Sequence, residues 1–480
     1  MSSPEPCRRV AIVGGGIAGL AAAYFLRDQG IVVTVLEGSP AIGGKLAVSE
    51  VAGIAIDAGA EALLARRPEG VDLIRAIGLA DQLVRPGTTT ASIWTRGHFR
   101  PLPRRQCMGV PADFGDLERS GILSPAGLDR ARQDAVLAAT ARDGDVAVGQ
   151  FVGSRFGPEV VDRLVEPLLG GVYAGRVDQL SLEATVPGLA AESQKHRSLA
   201  EAAAAMLGPG QNENLAAQPV FTTLAGGLGS LPDALAEASG AAVRTTATVR
   251  ELARTPEGWR LTIGPAIAPG RIDADAVILA LPARPASRLV RQVAGAAGAA
   301  AALAEIEYAS MAIVTLAYPA TAFPEPITGS GYLVPAIDGR PVKAVTYSTV
   351  KWPHLASGLH VVRCSIGRIG EEAVLQRDDA ELAALAAADL AAATGVTGRP
   401  AATRVTRWGG GLPQYTVGHL DRVRRIRAGI AAQPGLAVCG AAYDGIGIPA
   451  CIASALMAAD QILGYLEGRA VAERARGAGE

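Results

Sequence analysis

Three glycines, Gly14, Gly16 and Gly19, are the first place in the chain where residue type and spacing together point to chemistry. The spacing Gly-x-Gly-x-x-Gly suits the binding of a pyrophosphate. Gly14 permits a tight turn, Gly16 lets the backbone approach the phosphates, and Gly19 lets a helix pack closely on a strand. Gly15, Ile17 and Ala18 complete the turn. A helix that starts there aims free N–H groups and its positive dipole end at the anion. Glu37, followed by Gly38, stands where an acid would accept hydrogen bonds from ribose hydroxyls. That acid favours an unphosphorylated ribose, hence NAD or FAD over NADP. Gly43-Gly44-Lys45 comes next, and a Gly-Gly-cation run after the ribose acid is a pattern of FAD oxidases that adds a phosphate contact. Lys is scarce, at Lys45, Lys195, Lys343 and Lys351 only, which argues against a stray cation at this spot.

These residues need elements to hold them. Val10–Val13 reads as a strand, Ile17–Gln29 as a helix and Ile31–Leu36 as a second strand ending at Glu37, which together make a Rossmann unit. Far along the chain, residues 436–440 read as another strand and 441–448 as a Gly-rich turn. Pro449 then opens a helix through Leu463. Two strand–turn–helix units so far apart suggest one discontinuous domain. The N-terminus of the second helix would stabilise negative charge on a reduced flavin ring. Between them, Thr245–Val249, Trp259–Ile263 and Ala276–Ala280 read as strands of the same domain. Residues 110–206 form a helical region that includes an Ala-rich stretch, Pro125–Ala141. Gly208–Pro219 is a linker. Glu305–Tyr318 and Gly331–Ser348 predict a second sheet, Asp378–Ala393 a helix, and Arg469–Glu480 a frayed tail.

Composition narrows the function classes. The 480 residues carry 45 basic and 46 acidic side chains, so no basic excess suggests nucleic acid as a partner. Aromatics, at 4%, are too few for base-stacking platforms. The five cysteines are dispersed, without a CxxC or a Cys/His cluster. This pattern fits reduced thiols in the cytoplasm better than a disulfide framework or a metal site. The uncharged run Val10–Leu26 imitates a signal peptide behind Arg8-Arg9, but its glycines belong to the turn. That run and Gly445–Ala459 are both short for a membrane span, and no transmembrane segment is expected. Asp113-Phe114-Gly115 spells a kinase magnesium motif without a kinase catalytic loop and is read as chance. The basic run Arg96, His98, Arg100, Arg104 and Arg105 is read as a solvated surface segment. Its alternative roles are guiding an anionic substrate or touching a membrane or partner enzyme.

Six further segments are distinctive: Phe156-Gly157-Pro158-Glu159-Val160; the run from Glu166 to Gly175 (EPLLGGVYAG); Gln194-Lys195-His196-Arg197-Ser198; Lys351-Trp352-Pro353-His354; the run from Pro413 to His419 (PQYTVGH); and Asp444 to Pro449 (DGIGIP). With the glycine fingerprint they make the chain resemble the bacterial soluble protoporphyrinogen/coproporphyrinogen oxidases, a branch of the FAD-linked amine oxidase superfamily. The resemblance implies an α/β (α+β) fold. In it, a discontinuous Rossmann-type FAD-binding domain is interleaved with a substrate-binding sheet domain and a helical domain. The expected division is 1–65, 208–285 and 405–468 for FAD, 66–109 and 286–404 for substrate, 110–207 helical, and 469–480 a tail.

By the same resemblance, non-covalent FAD would contact the glycine turn, Glu37, Gly38, Gly44, Lys45, Gly59, Ala60, Glu61, Ala62, Val249, Trp408, Ile446, Gly447 and Ile448. Arg67 aligns with a basic residue that meets a substrate propionate, with Arg66 as the neighbouring register, and Leu333 with an apolar contact to the macrocycle. His419 falls beside the flavin, read as a brace for its loop. The implied reaction is a six-electron oxidation of a porphyrinogen by O2, with the flavin as hydride acceptor and with no catalytic side chain or metal ligand assigned. The implied partners are the porphyrinogen, O2 and a transient contact with the next haem-pathway enzyme. Low aromatic content disfavours the aromatic cage of an amine oxidase, and the intact motifs at both ends disfavour a non-catalytic flavin scaffold.

Overall fold

The computed structural model describes residues 8–139, 142–208 and 220–477. Strand β1 (Arg8–Val13) leads through the glycine turn into helix α1 (Ile17–Phe25) and then strand β2 (Ile31–Leu36). These form a five-stranded sheet with Ala242–Arg244, Ala276–Leu279 and Leu436–Val438. Its order is 242–244, β2, β1, 276–279, 436–438, and every pairing is parallel. Side chains alternate across it. Val10 and Ile12 enter a core with α1 and the helices Leu231–Ser239 and Ile448–Gly477. Ala11 and Val13 enter another with Ala283–Val290, Ala297–Ala304 and His419–Ala431. Helices on both faces explain why β1 is apolar on both.

A second sheet runs in the order 402–413, 308–319, 359–366, 342–347, 331–333, 92–95, 98–101. It is antiparallel except where 331–333 meets 92–95. One face carries Val314, Leu316, Tyr332, Val345 and Cys364 against the helix Asp379–Thr394. The alternate residues, among them Leu333 and Arg363, face the other way, toward the rest of the molecule. Asp378 and Glu381 close a capping box at the start of that helix. Replacing Asp378 with Ala is expected to cost about 1 kcal/mol, read as a lower urea midpoint with an unchanged slope. The helical region runs from Phe114 to Leu207 around its own core. Asp113 is the N-cap of its first helix and accepts the Asp116 N–H, so the Asp-Phe-Gly run is a helix start.

Several expectations need correction. Helix α1 stops at Phe25, because Asp28 and Gly30 adopt positive φ and turn the chain toward β2. Thr245–Val249 is not a strand: the chain leaves the parallel sheet at Arg244, turns at Thr246 (φ 54°) and enters a separate antiparallel sheet at Val249. Trp259–Ile263 belongs to that separate sheet. The helix in Pro125–Ala141 ends at Arg132. The final helix does not stop near Leu463 but continues to Gly477, through much of the expected tail. Arg469 ties it to the Glu257 carbonyl and to Asp275. Its stretch Ile448–Val471 is long and apolar enough to cross a membrane, yet 56% of the apolar window is buried against the protein. The linker at 208–219 lies, from 209 on, outside the described residues, as does Cys7.

Candidate functional site

The glycine turn is built as its spacing predicts. Gly14 has φ +111°, and a methyl group there would sit 2.4 Å from the Ala280 carbonyl oxygen. A methyl at Gly19 would lie 1.9 Å from the Gly14 oxygen, so only glycine lets α1 press against the turn. At Gly16 the same test meets nothing within 4 Å. That side of the turn is open, and Gly16 caps α1 without any side-chain acceptor for its first N–H groups.

Glu37 sits at the end of β2. Its carboxylate accepts the Gly15 N–H at 2.7 Å and both the N–H and hydroxyl of Ser39 at 2.8 Å. The Gly43-Gly44-Lys45 loop is pinned to the same turn by the Gly43 N–H, which donates to Gly15 O at 2.8 Å. Lys45 is half-buried, and among the described residues it makes no ion pair. Burial pushes its ammonium below the usual lysine range, more than the neighbouring Cys451 sulfur raises it. A half-buried cation without a carboxylate, beside an open helix N-terminus, suits a bound polyanion.

The segment from Gly59 to Ala62 lies on this loop: Ala60 N–H donates to Lys45 O at 3.2 Å. Trp408 donates from its indole to Ala58 O at 3.1 Å, and its ring borders Gly59. Gly38 faces Thr248, which brings Val249 close to the ribose acid. The turn at Ile446, Gly447 and Ile448 joins from the far end of the chain, with Cys451 on the following helix bordering Ile446 O and Lys45. Residues separated by more than 400 positions thus surround one cradle, and those present fit a dinucleotide.

Two functional residues were not legible as such. Glu61 does not offer a free carboxylate to a cofactor: Lys351 donates to it at 2.7 Å, and Arg363 pairs with its other oxygen. Arg363 also donates to Gly59 O at 2.6 Å. Burial alone would raise the Glu61 carboxyl, but the two cations and their hydrogen bonds outweigh it and hold it at about 2. A signal existed, because Arg363 is a charge within the apolar run from Val361 to Cys364, and a buried charge needs a partner.

The expected substrate residues have different neighbours. Arg67 is exposed and ion-paired with Glu69 at 2.6 Å, at the N-cap of the helix Pro68–Ala76. That helix rests on Pro449 through Gly70, beside the 446–448 turn. Arg66 is also exposed. Leu333, on the second sheet, faces Gly171 of the helix Glu166–Tyr173, where an added methyl would touch it at 3.6 Å. The basic run is partly paired: Arg96 bonds Ile122 O and Glu159. His419 is fully buried, its ring stacked on Tyr415 at 3.8 Å between centroids. Its Nε2 lies 3.0 Å from Tyr443 O, and burial pushes it down to about 4, so it is neutral at pH 7.

Comparison with known proteins agrees with this geometry. Residues 17–463 match the family described as flavin containing amine oxidoreductase. The coproporphyrinogen III oxidase of Mycobacterium tuberculosis (strain H37Rv) is 37% identical over 96% of this chain and 99% of its own. That of Bacillus subtilis (strain 168) is 31% identical, over 96% and 98%. A solved structure from Exiguobacterium sp. 255-15 superposes with a TM-score of 0.83 at 32% identity, covering 96% of this chain and 99% of that one.

Proposed function

Starting from a chain that belongs to the flavin-containing amine oxidoreductase family, we propose an oxygen-dependent coproporphyrinogen III oxidase of haem synthesis. The observation that carries the reading is the convergence of the open Gly16 turn, the unpaired Lys45 and the Ile446–Ile448 turn on one cradle. It is supported by likeness along the whole chain to enzymes of that name. The cofactor is FAD, held without a covalent bond. The Gly14–Gly19 turn, Gly44 and Lys45 hold its pyrophosphate, and Glu37 with Gly38 its ribose. Gly59–Ala62, Val249, Trp408 and Ile446–Ile448 flank the rest.

Bound flavin supplies a two-electron acceptor that O2 restores, so one porphyrinogen gives one porphyrin while three O2 become three H2O2. The chain's own task is orientation and charge. Leu333 and Gly171 border the macrocycle, Arg67 or Arg66 meets a propionate, and Lys45 neutralises phosphate. The proposal includes the division of the chain given above, with one adjustment. The strand Ala402–Pro413 runs across residue 405 and belongs wholly to the second sheet, so the last FAD segment begins after it. It also includes a cytoplasmic setting, in keeping with the four free, buried cysteines among the described residues.

Porphyrin fluorescence from coproporphyrinogen III and protoporphyrinogen IX under air tests the reading. FAD-loaded protein that oxidises neither would sink it, and a higher kcat/KM for protoporphyrinogen would move the assignment to that substrate. A paired measurement decides the propionate register. Arg67 already has Glu69, so Arg66→Ala and Arg67→Ala should differ. The residue that meets substrate is expected to raise KM about fivefold, the value of an exposed charge contact. If KM moves with neither, both leave the site.

A further inference from the structure

The PQYTVGH stretch (Pro413–His419) is distinctive in the sequence, yet of its side chains only His419 has been given a role, as a brace for its loop. Its place in the fold gives it a task. Gln414 is buried and donates to the Tyr173 carbonyl at 2.8 Å, and a methyl on Gly175 would lie 2.2 Å from its side-chain oxygen. It therefore clamps the end of the EPLLGGVYAG stretch of the helical region. The next residue, Tyr415, reaches in the opposite direction. Its hydroxyl donates to Ala441 O at 2.8 Å and accepts the Gly445 N–H at 2.8 Å, spanning the turn between the last parallel strand and the final helix.

The phenol is buried at 1% exposure, and burial keeps it protonated, so one O–H and one lone pair are both used on the turn. His419 stacks on its ring at 14° and holds Tyr443 O from inside the same turn. Three segments remote in sequence, 173–175, 413–419 and 441–445, thus meet at one ring. The turn they fix leads directly into Ile446–Ile448.

We propose that Tyr415 is a positioning residue for the flavin: its hydroxyl, steadied by the His419 ring, sets the Ala441–Gly445 turn so that the Ile448 helix N-terminus meets the cofactor. The inference rests on the flavin site proposed above. A positive helix end placed against the ring favours the reduced, anionic form. A turn that has lost its anchor should bind flavin less tightly and lower its reduction potential.

The experiment titrates FAD into deflavinated wild type, Tyr415→Phe and His419→Phe, and measures the flavin potential and apo-protein Tm of each. Tyr415→Phe keeps the stacked ring and removes only the hydroxyl. FAD affinity should fall about tenfold, the scale of one buried hydrogen bond lost with its partner left unpaired. The potential should move to more negative values, and the apo-protein Tm should fall by only a few degrees. His419→Phe keeps the stack and frees Tyr443 O, with the same signs and a smaller effect, so it decides the question if Tyr415→Phe does not fold. Wild-type affinity and potential in the variants would overturn the role of Tyr415. A fall in Tm with an unaltered flavin potential would also overturn it, by making the contact merely structural. Wild type that takes up no FAD would instead remove the proposed flavin site itself.

Discussion

A Gly16→Ala variant is expected to melt within about 3 °C of the wild type and yet to lose about a hundredfold in FAD affinity. The two halves of this expectation have separate causes. Gly16 has φ −79°, which alanine adopts freely, and its added methyl meets no protein atom within 4 Å. Losing a good N-cap residue and restricting the unfolded chain are opposing effects of about 1 kcal/mol or less each. The folded apo-protein is therefore nearly indifferent. The methyl does, however, project into the opening where the proposed pyrophosphate would approach the α1 N–H groups, and overfilling a close contact costs about 1–3 kcal/mol. Gly19→Ala supplies the contrast. There the methyl would stand 1.9 Å from the Gly14 carbonyl oxygen, so backbone must move and both stability and flavin are lost. Differential scanning fluorimetry paired with flavin titration reads both variants. Full flavin retention by Gly16→Ala would mean that this side of the turn faces no cofactor.

Removing the Glu61 carboxylate should be the most destabilising single change near the site. In Glu61→Ala, Lys351 and Arg363 would be left buried beside each other without their anion, a loss of about 3–5 kcal/mol. Its pH dependence is distinctive. The Glu61 carboxyl is held at about 2 in the folded chain against an ordinary 4.5. The unfolded state therefore binds the proton more readily, and the stabilisation is complete above the unfolded value and lost as pH falls through 4.5 toward 2. A shift of that size corresponds to roughly 3 kcal/mol, of which more than half should be gone by about pH 3. Denaturant midpoints of wild type and Glu61→Gln, measured between pH 7 and pH 3, should converge toward the acid end. An equal gap at both ends would show that the carboxylate is not what the two cations hold.

Legibility in the sequence followed the range of the forces. The glycine turn was readable because steric limits at Gly14 and Gly19 are local, and the flanking strands because burial on both faces leaves an apolar run. The helix expected over Asp378–Ala393 was readable too, and in the structure a capping box at Asp378 opens it. Thr245–Val249 misled because β-branched residues favour strands wherever they lie, whereas here the tertiary path demanded a turn at Thr246. The final helix ran past its expected end because helical composition and the Arg469 anchor outweighed nearness to the terminus. The Glu61–Lys351–Arg363 triad stayed hidden for another reason. Its members come from a loop at residue 61, a short helix at 351 and a strand at 363, and only the fold brings them together.

The order of strands in the parallel sheet carries a consequence for synthesis. The cradle glycines leave the ribosome hundreds of residues ahead of the elements that complete their sheet. Yet β1 pairs with Ala276–Leu279, and that strand with Leu436–Val438. The helix that covers α1 comes later still, at Ile448–Gly477. At about 5–20 residues per second, the first strand and helix wait on the order of half a minute or more for their last neighbours. Through that interval α1, buried along almost its whole length in the finished protein, is an exposed apolar segment of the nascent chain. Translation speed and chaperone supply should therefore govern the yield of this protein more than its final stability does. A chain cut before residue 436 should accumulate as aggregate and not as a smaller flavoprotein.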